Sequence, residues 1–276
     1  MPELPEVETT RRHLEAAMVG RVLARATVSH PRSARLNASI AEVEGRLLGR
    51  RVLSVGRHGK FLVAALDEGY TLLAHLGMSG RFTLAHPWEE MAPHTHVVVR
   101  LDDGMEVRFT DPRTFGFVAV LDDDELPTSP LSRLGPDAWT DPPDVERLAG
   151  SMAGRTAPIK ALLLDQNPVA GLGNIYADEV LHRAGVHPLT PGGEISSEHL
   201  GRMIEAIRHV LDAAIESGGT TLSDMAYLLP DGRAGENLDR LAVYGREGLP
   251  CPRCGTPIER IVVRARSTHF CPDCQR

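Results

Sequence analysis

Asp165-Gln166-Asn167-Pro168-Val169-Ala170-Gly171-Leu172-Gly173-Asn174-Ile175-Tyr176-Ala177 decides how the second half of the chain folds. Helical periodicity runs up to this tract over Ile159–Asp165 and resumes over Ile175–Ala184. Gly171 and Gly173 between them specify a double turn. Asn174 reads as the N-cap of the second helix and Gly185 as its C′ residue. Such a turn frees backbone amides where the next helix presents its positive end, which suits a phosphate. The alternative is a tight helical hairpin without a ligand. Lys160, one helix earlier, is expected to face the same phosphate.

Outward from this tract the texture changes on both sides. Ser197–Glu216 continues the helical pattern downstream. Upstream, Asp122 to Pro143 is acidic and proline-rich and reads as a linker. From about residue 21 to 120 short β-branched runs recur, among them Arg51–Val55, Phe61–Leu66, Thr71–Leu76, His96–Leu101, Glu106–Phe109 and Phe117–Leu121. Asp67-Glu68-Gly69 and Asp102-Asp103-Gly104 punctuate them, as turns between antiparallel strands do. Residues 6–19 form one amphipathic helix with Val7, Leu14, Met18 and Val19 on its apolar face. The expected fold is α+β in two domains. Residues 1–121 make an antiparallel sandwich or barrel, 122–143 a linker, 144–237 a helical domain and 238–276 a metal-binding finger.

All four cysteines lie in that last segment, as Cys251-x2-Cys254 and Cys271-x2-Cys274. Two knuckles of this spacing fit one tetrahedral zinc ion with four thiolates. Four protein ligands leave no open position, so the metal is structural. Disulfides are the alternative, and a reducing compartment disfavours them.

The chain begins Met1-Pro2-Glu3-Leu4-Pro5-Glu6-Val7-Glu8. Removal of Met1 would leave Pro2 with a free secondary amine, and α-amines titrate near about 7.7–8.0. Such an amine attacks electrophilic carbon and forms an iminium. Glu3 stands beside it as a general acid or base. A start chosen only for processing is the plainer reading of Pro2 alone. Lysine use adds weight: of 30 basic residues only Lys60 and Lys160 are lysines. A lysine can release its proton when its pKa is lowered, whereas arginine stays charged.

The net charge of −7 does not advertise nucleic-acid binding, but a local field counts for more than the sum. Basic residues gather at Arg50-Arg51, at Arg57-His58-Lys60 and at Arg260, Arg264 and Arg266. No apolar run reaches the roughly 18 residues of a membrane helix. No signal peptide is evident, so a cytoplasmic protein with no membrane partner is expected. Two loops carry weaker signals. In His75-Leu76-Gly77-Met78-Ser79-Gly80, Met78 could wedge into a base stack or belong to the core. In Asp111-Pro112-Arg113-Thr114-Phe115-Gly116, a cation and an aromatic sit two apart. His94 and His96 lead into a strand.

The N-terminal octapeptide, His58-Gly59-Lys60, His75–Gly80, Asp111-Pro112-Arg113, Gly173-Asn174-Ile175-Tyr176 and the four cysteines occur in this order. Together they make the chain resemble the bacterial formamidopyrimidine-DNA glycosylases over essentially its whole length. The resemblance implies a flattened β-sandwich, a helix–two-turn–helix domain and a zinc-finger hairpin, with damaged double-stranded DNA bound in the cleft. It implies a monomer that removes oxidised purines (8-oxoguanine, formamidopyrimidines) and cleaves abasic sites. Pro2 would form the Schiff base, Glu3 protonate the opened sugar, Lys60 serve β-elimination and Arg266 assist δ-elimination. Lys160, Asn174, His94 and Arg155 would hold the DNA backbone. Met78, Arg113 and Phe115 would fill the gap left by the extruded nucleotide, since that chemistry cannot reach a stacked base.

One region departs from the family pattern. The loop expected over the extruded base falls between Thr220-Thr221-Leu222-Ser223-Asp224-Met225 and Val243-Tyr244-Gly245. Ser223 replaces a lysine common there, and Gly235-Glu236-Asn237-Leu238 lacks an aromatic pair. Lesion choice is therefore less fixed than reaction type. An endonuclease VIII-like enzyme for oxidised pyrimidines and a non-catalytic zinc-dependent DNA-binding protein are the competing readings.

Overall fold

The computed structural model describes residues 1–276 and divides into two compact units. Unit one comprises Met1–Ser132 and Ser217–Glu236, and unit two Arg133–Glu216 and Asn237–Arg276.

Unit one opens with α1 (Leu4–Met18), then β1 (Leu23–Val28) and α2 (Ile40–Leu47). Seven strands follow: β2 (Val52–His58), β3 (Phe61–Leu66), β4 (Thr71–His75), β5 (Arg81–Ala85), β6 (Thr95–Leu101), β7 (Glu106–Thr110) and β8 (Phe117–Leu121). They pair antiparallel in two four-stranded sheets, ordered β1-β6-β7-β5 and β2-β3-β4-β8. Alternation drives the layering: in β3, Leu62, Ala64 and Leu66 point inward while Phe61, Val63 and Ala65 are only half-buried. Leu62 and Ala64 join Val97, Val99, Phe109 and Val118 in one core, and Leu14 and Met18 of α1 pack into it. Burying a side chain such as Leu14 contributes about 1.5–3 kcal/mol. β8 is buried on both faces, because Leu126 and Leu131 cover Phe117, Ala119 and Leu121 from outside.

The sandwich matches the expectation, with local differences. The first helix runs Leu4–Met18, and Val19 is its exposed C-cap rather than part of its apolar face. β1 and β5 escape the sequence reading, since each mixes apolar with charged or polar residues. α2 escapes it too, although Ser39 caps it by accepting from the Glu42 amide at 3.1 Å.

Unit two holds α3 (Val145–Met152), α4 (Ile159–Leu164), α5 (Asn174–Ala184), α6 (Ser197–Glu216) and the hairpin of β9 (Glu259–Val263) with β10 (Arg266–Phe270). Two corrections arise. Ser217–Glu236 lies within the segment 144–237 expected to be one helical domain, yet it packs in unit one. A buried carboxylate of α1, described below, is one anchor, and the Leu84 amide, which donates to the Pro230 carbonyl at 3.1 Å, is another. The segment expected as a linker is partly ordered by its own side chains. Asp122 accepts from the amides of Asp124 and Glu125, and Asp137 from those of Trp139 and Thr140.

A candidate catalytic terminus and nucleic-acid interface

Pro2 and Glu3 are buried at the start of α1, and Met1 before them is exposed. Glu3 is the N-cap and forms a capping box with Glu6: the Glu3 amide donates to Glu6 Oε2 at 2.7 Å. Glu6 is buried, and its other oxygen accepts from the Thr220 amide at 2.8 Å. One carboxylate thus holds both the Pro2-Glu3 terminus and the stretch of chain expected to cover a lesion. Gly219 leaves room for it. A Cβ there would lie 2.8 Å from Glu6 Oε1, and its φ of +84° favours glycine besides. Tyr227 closes the arrangement by donating its hydroxyl to the Gly218 carbonyl at 3.1 Å. Burial, with the Glu6 charge nearby, raises that phenol's pKa. Ser223, Asp224 and Met225 stand exposed at the tip of this segment.

Lys60 follows the tight turn at Gly59 (φ 56°) between β2 and β3 and is 8% exposed. The turn is anchored to α1. Arg57 donates to the Gly59 carbonyl at 2.9 Å and to Glu8 Oε2 at 3.3 Å. Glu8 is buried, which alone would raise its pKa. Hydrogen bonds from Arg11 and Arg12, with the charges of Arg11 and Arg57, prevail and hold it below the ordinary range. Two α1 carboxylates, Glu6 and Glu8, therefore position elements far away in sequence. Neither partner is visible from spacing.

The loops bearing Met78 and Arg113–Phe115 touch backbone to backbone. A Cβ on Gly77 would meet the Gly116 nitrogen at 2.4 Å. Asp111, fully buried, accepts from Ser79 Oγ at 2.6 Å and from the Gly116 amide at 2.7 Å. His75 Nδ1 accepts from the Gly77 amide at 2.9 Å. Burial, then the charges of Lys60 and Arg35, lower the His75 pKa to about 4, so the ring stays neutral and keeps that acceptor. Met78 is half-buried, and Arg113 and Phe115 are exposed, the guanidinium 5.0 Å from the ring centre. His94 is exposed with φ 63°, outside the strand. His96 is buried with Nε2 at 3.1 Å from the Asp111 carbonyl oxygen.

In unit two, Gln166 organises the double turn. Its amide donates to the carbonyls of Leu164 and Leu172, and its oxygen accepts from the Gly171 amide. Gly173, not Asn174, is the N-cap of α5. Asn174 Nδ2 donates instead to the Ser267 carbonyl at 3.0 Å. Gly185 ends the helix in the left-handed conformation expected of it. Lys160 departs from expectation as well. Its ammonium is fully buried, 2.7 Å from Asp178 Oδ1, and donates to the Ser267 carbonyl at 2.7 Å and to Thr268 Oγ1 at 2.8 Å. A charge satisfied in this way supports the finger strand and does not face outward. Arg155 is exposed, 3.8 Å from Asp165.

Arg266 is exposed where β10 leaves the turn Arg264-Ala265. Both turn residues have positive φ (44° and 62°), which twists a two-residue hairpin correctly but is costly without glycine. Glu179 docks the approach to the finger by accepting from the amides of Ala242, Val243 and Tyr244 at 2.8, 3.0 and 2.9 Å. The sulfurs of Cys251, Cys254, Cys271 and Cys274 lie within 4.8 Å of one another. Tetrahedral zinc with bonds of about 2.3 Å requires sulfurs about 3.8 Å apart. The Cys251–Cys274 and Cys254–Cys271 separations of 4.0 and 3.4 Å fit it.

Three family models cover the chain. They are the formamidopyrimidine-DNA glycosylase N-terminal domain (residues 1–118), the H2TH domain of the same enzymes (134–226) and the zinc finger found in FPG and IleRS (248–276). The formamidopyrimidine-DNA glycosylase of Thermus thermophilus is 47% identical over 257 residues, covering 92% of this chain and 91% of the relative. That of Cereibacter sphaeroides is 43% identical over the whole of both chains. The crystal structure of the Thermus thermophilus MutM (Fpg) protein superposes with a TM-score of 0.89 at 45% identity, covering 99% of this chain and 98% of that one. The Lactococcus lactis Fpg bound to DNA containing an abasic site superposes with a TM-score of 0.91 at 32% identity over the full length of both chains. With its N-terminal domain, H2TH domain and zinc finger all matched, the chain belongs to the formamidopyrimidine-DNA glycosylase family, the DNA glycosylases of base excision repair.

Proposed function

We propose that the protein removes oxidised purines from double-stranded DNA and then cleaves the strand, acting as a monomer. The observation that carries this reading is the buried Pro2-Glu3 pair, locked by Glu6, in the unit that also holds Lys60 on its anchored turn. Once Met1 is removed, the Pro2 nitrogen attacks C1′ of the extruded nucleotide. The damaged base departs, the sugar ring opens as Glu3 protonates O4′, and an iminium links enzyme and sugar. Loss of a C2′ proton then expels the 3′ phosphate. Loss of a C4′ proton expels the 5′ phosphate, and water frees Pro2. Lys60 and Arg266 serve these eliminations through proton transfer and phosphate binding. Met78, Arg113 and Phe115 fill the vacated stack. Asn174, Arg155 and His94 contact the backbone, while Lys160 supports the finger that carries Arg266. Bound zinc holds the finger in shape and enters no chemical step.

The Lactococcus lactis relative has been crystallised with DNA containing Fapy-dG and with DNA containing an oxidised pyrimidine. This makes oxidised pyrimidines the second substrate class to test, with Ser223 among the exposed residues at the covering tip. The decisive experiment is borohydride trapping on an 8-oxoguanine duplex and a thymine glycol duplex, with intact mass measured on the same preparation. A covalent adduct on the purine lesion, lost in Pro2→Gly, is expected. No adduct from protein proven to lack Met1 refutes the Schiff-base route.

A further inference from the structure

One cleft has no part in this chemistry. In unit two, α5, α6, the turn Asn237–Arg240 and the first knuckle of the finger enclose a cavity of about 720 Å³. Arg183, Arg202, Arg240 and Arg253 line it, against the carboxylates of Glu205 and Glu179 only. Glu179 is already committed to three backbone amides. Arg202 reaches only Glu198, at 3.7 Å and largely in solvent, and Arg253 donates to the His182 carbonyl. Arg183 and Arg240 make no ion pair. In a chain of net charge −7 this concentration of arginine runs against composition. The negative end of the α5 dipole accounts for one cation near Arg183, not for four.

The floor is apolar, built from Ala206, Val210, Ala213 and Leu241. No phenylalanine, tyrosine or tryptophan lines the cleft. Unstacked bases bind on aromatic platforms, so this surface is ill suited to single-stranded nucleic acid. Arg183 also lies nine positions along the helix from Asn174, about 13 Å at 1.5 Å per residue. The cleft is therefore separate from the end of α5 that meets DNA. Arginine forks match carboxylates in bidentate geometry and are enriched at protein interfaces.

We propose that this cleft docks an acidic, partly aliphatic segment of a partner protein. Its carboxylates meet Arg183 and Arg240, and its aliphatic side chains rest on Ala206 and Val210. The test uses the full-length zinc-loaded protein and a fluorescein-labelled decapeptide of alternating aspartate and leucine, read by anisotropy. The peptide should bind, and its Asn-for-Asp analogue should bind at least about tenfold more weakly. The double variant Arg183→Glu/Arg240→Glu should lose about tenfold or more in peptide affinity with zinc content and lesion cleavage unchanged. Equal binding by the variant, or by the uncharged analogue, overturns the proposal. So does displacement of the peptide by saturating lesion duplex, which would make the cleft part of the DNA footprint. Tighter capture of an oligothymidylate, lost in the same variant, would assign the cleft to nucleic acid instead.

Discussion

Ser79 Oγ donates to Asp111 Oδ1 at 2.6 Å, joining two loops whose side chains are proposed to fill the same gap in DNA. Asp111 is fully buried, and its second oxygen holds the Gly116 amide. Asp111→Asn puts an NH2 where the charged oxygen accepted from Ser79 Oγ and from the Arg113 amide; the hydroxyl can turn to accept, but the amide is left facing a donor. The cost of such a buried mismatch is about 1.5–3 kcal/mol. On the proposed role of these loops in stabilising the extruded state, KM for a lesion duplex should rise several-fold. Trapping on a single-stranded abasic oligonucleotide, which leaves no stack to fill, should be nearly unchanged. Equal losses on both substrates would show that Asp111 supports the fold generally.

Glu6 and Gly219 lead to a second expectation. Gly219→Ala brings a Cβ within 2.8 Å of Glu6 Oε1 at a φ of +84°, so the segment must shift from its anchor. Left-handed strain for alanine costs roughly 1–2 kcal/mol. The tip formed by Ser223–Met225 is proposed to act only while a damaged base is present. Single-turnover excision of 8-oxoguanine should fall by about five- to thirtyfold, the range that energy converts to. Cleavage at a preformed abasic site should fall far less. Parallel loss of both rates would place the defect in the Pro2 terminus, through Glu6.

These two cases mark where sequence reading stops. The cysteine knuckles are legible because a ligand spacing is local, and Pro2, Glu3 and Lys60 stand out in the sequence because the chemistry proposed for them is local too: a terminus and a rare residue type. Glu6, Glu8, Asp111, Asp178 and Glu179 act on partners far along the chain, and in sequence each resembles an ordinary surface acid. The return of Ser217–Glu236 to the first unit rests on scattered contacts, Glu6 with Thr220, the Leu84 amide with the Pro230 carbonyl and His13 with Asp231, and has no periodic signature. Lys160 reads in the opposite sense from sequence, since scarcity shows that a lysine matters without showing whether it faces solvent.

Glu8 gives a pH dependence. Its folded pKa lies below the usual value of 4.5, so it binds its proton less readily in the native state. The stabilisation is present above that unfolded value and is lost as pH falls through the lowered folded pKa. Urea midpoints of the wild type should therefore drop more steeply below about pH 4.5 than those of Glu8→Gln. At neutral pH the variant should be about 3 kcal/mol less stable, because the buried Arg57 loses a carboxylate. Parallel pH profiles would remove Glu8 from the anchoring of the Lys60 turn.

Removal of zinc should act on one element. Chelation leaves four thiols packed within 4.8 Å with no ion to offset them, and the hairpin bearing Arg266 should unfold. Affinity for a lesion duplex should fall by orders of magnitude while the far-ultraviolet signature of the sandwich persists. Cys254→Ser should reproduce the loss. Retained DNA affinity after stoichiometric zinc release would detach the finger from recognition.

Lys160 separates a strut from a phosphate contact by salt dependence. A side chain that neutralises a phosphate contributes about 0.9 to the slope of log affinity against log salt. The Lys160 ammonium instead spends its donors on Asp178, Ser267 and Thr268, in a site closed to solvent. Lys160→Met strands the buried Asp178, at a cost of about 3–5 kcal/mol. It also frees the segment that sets Arg266. Weaker DNA binding and a lower melting temperature should follow, with the salt slope unchanged. Arg155→Ala is the contrast: its exposed guanidinium should take about one phosphate from the slope and leave the melting temperature alone. If Lys160→Met lowers the slope as Arg155→Ala does, the ammonium leaves Asp178 when DNA binds, and the strut reading fails.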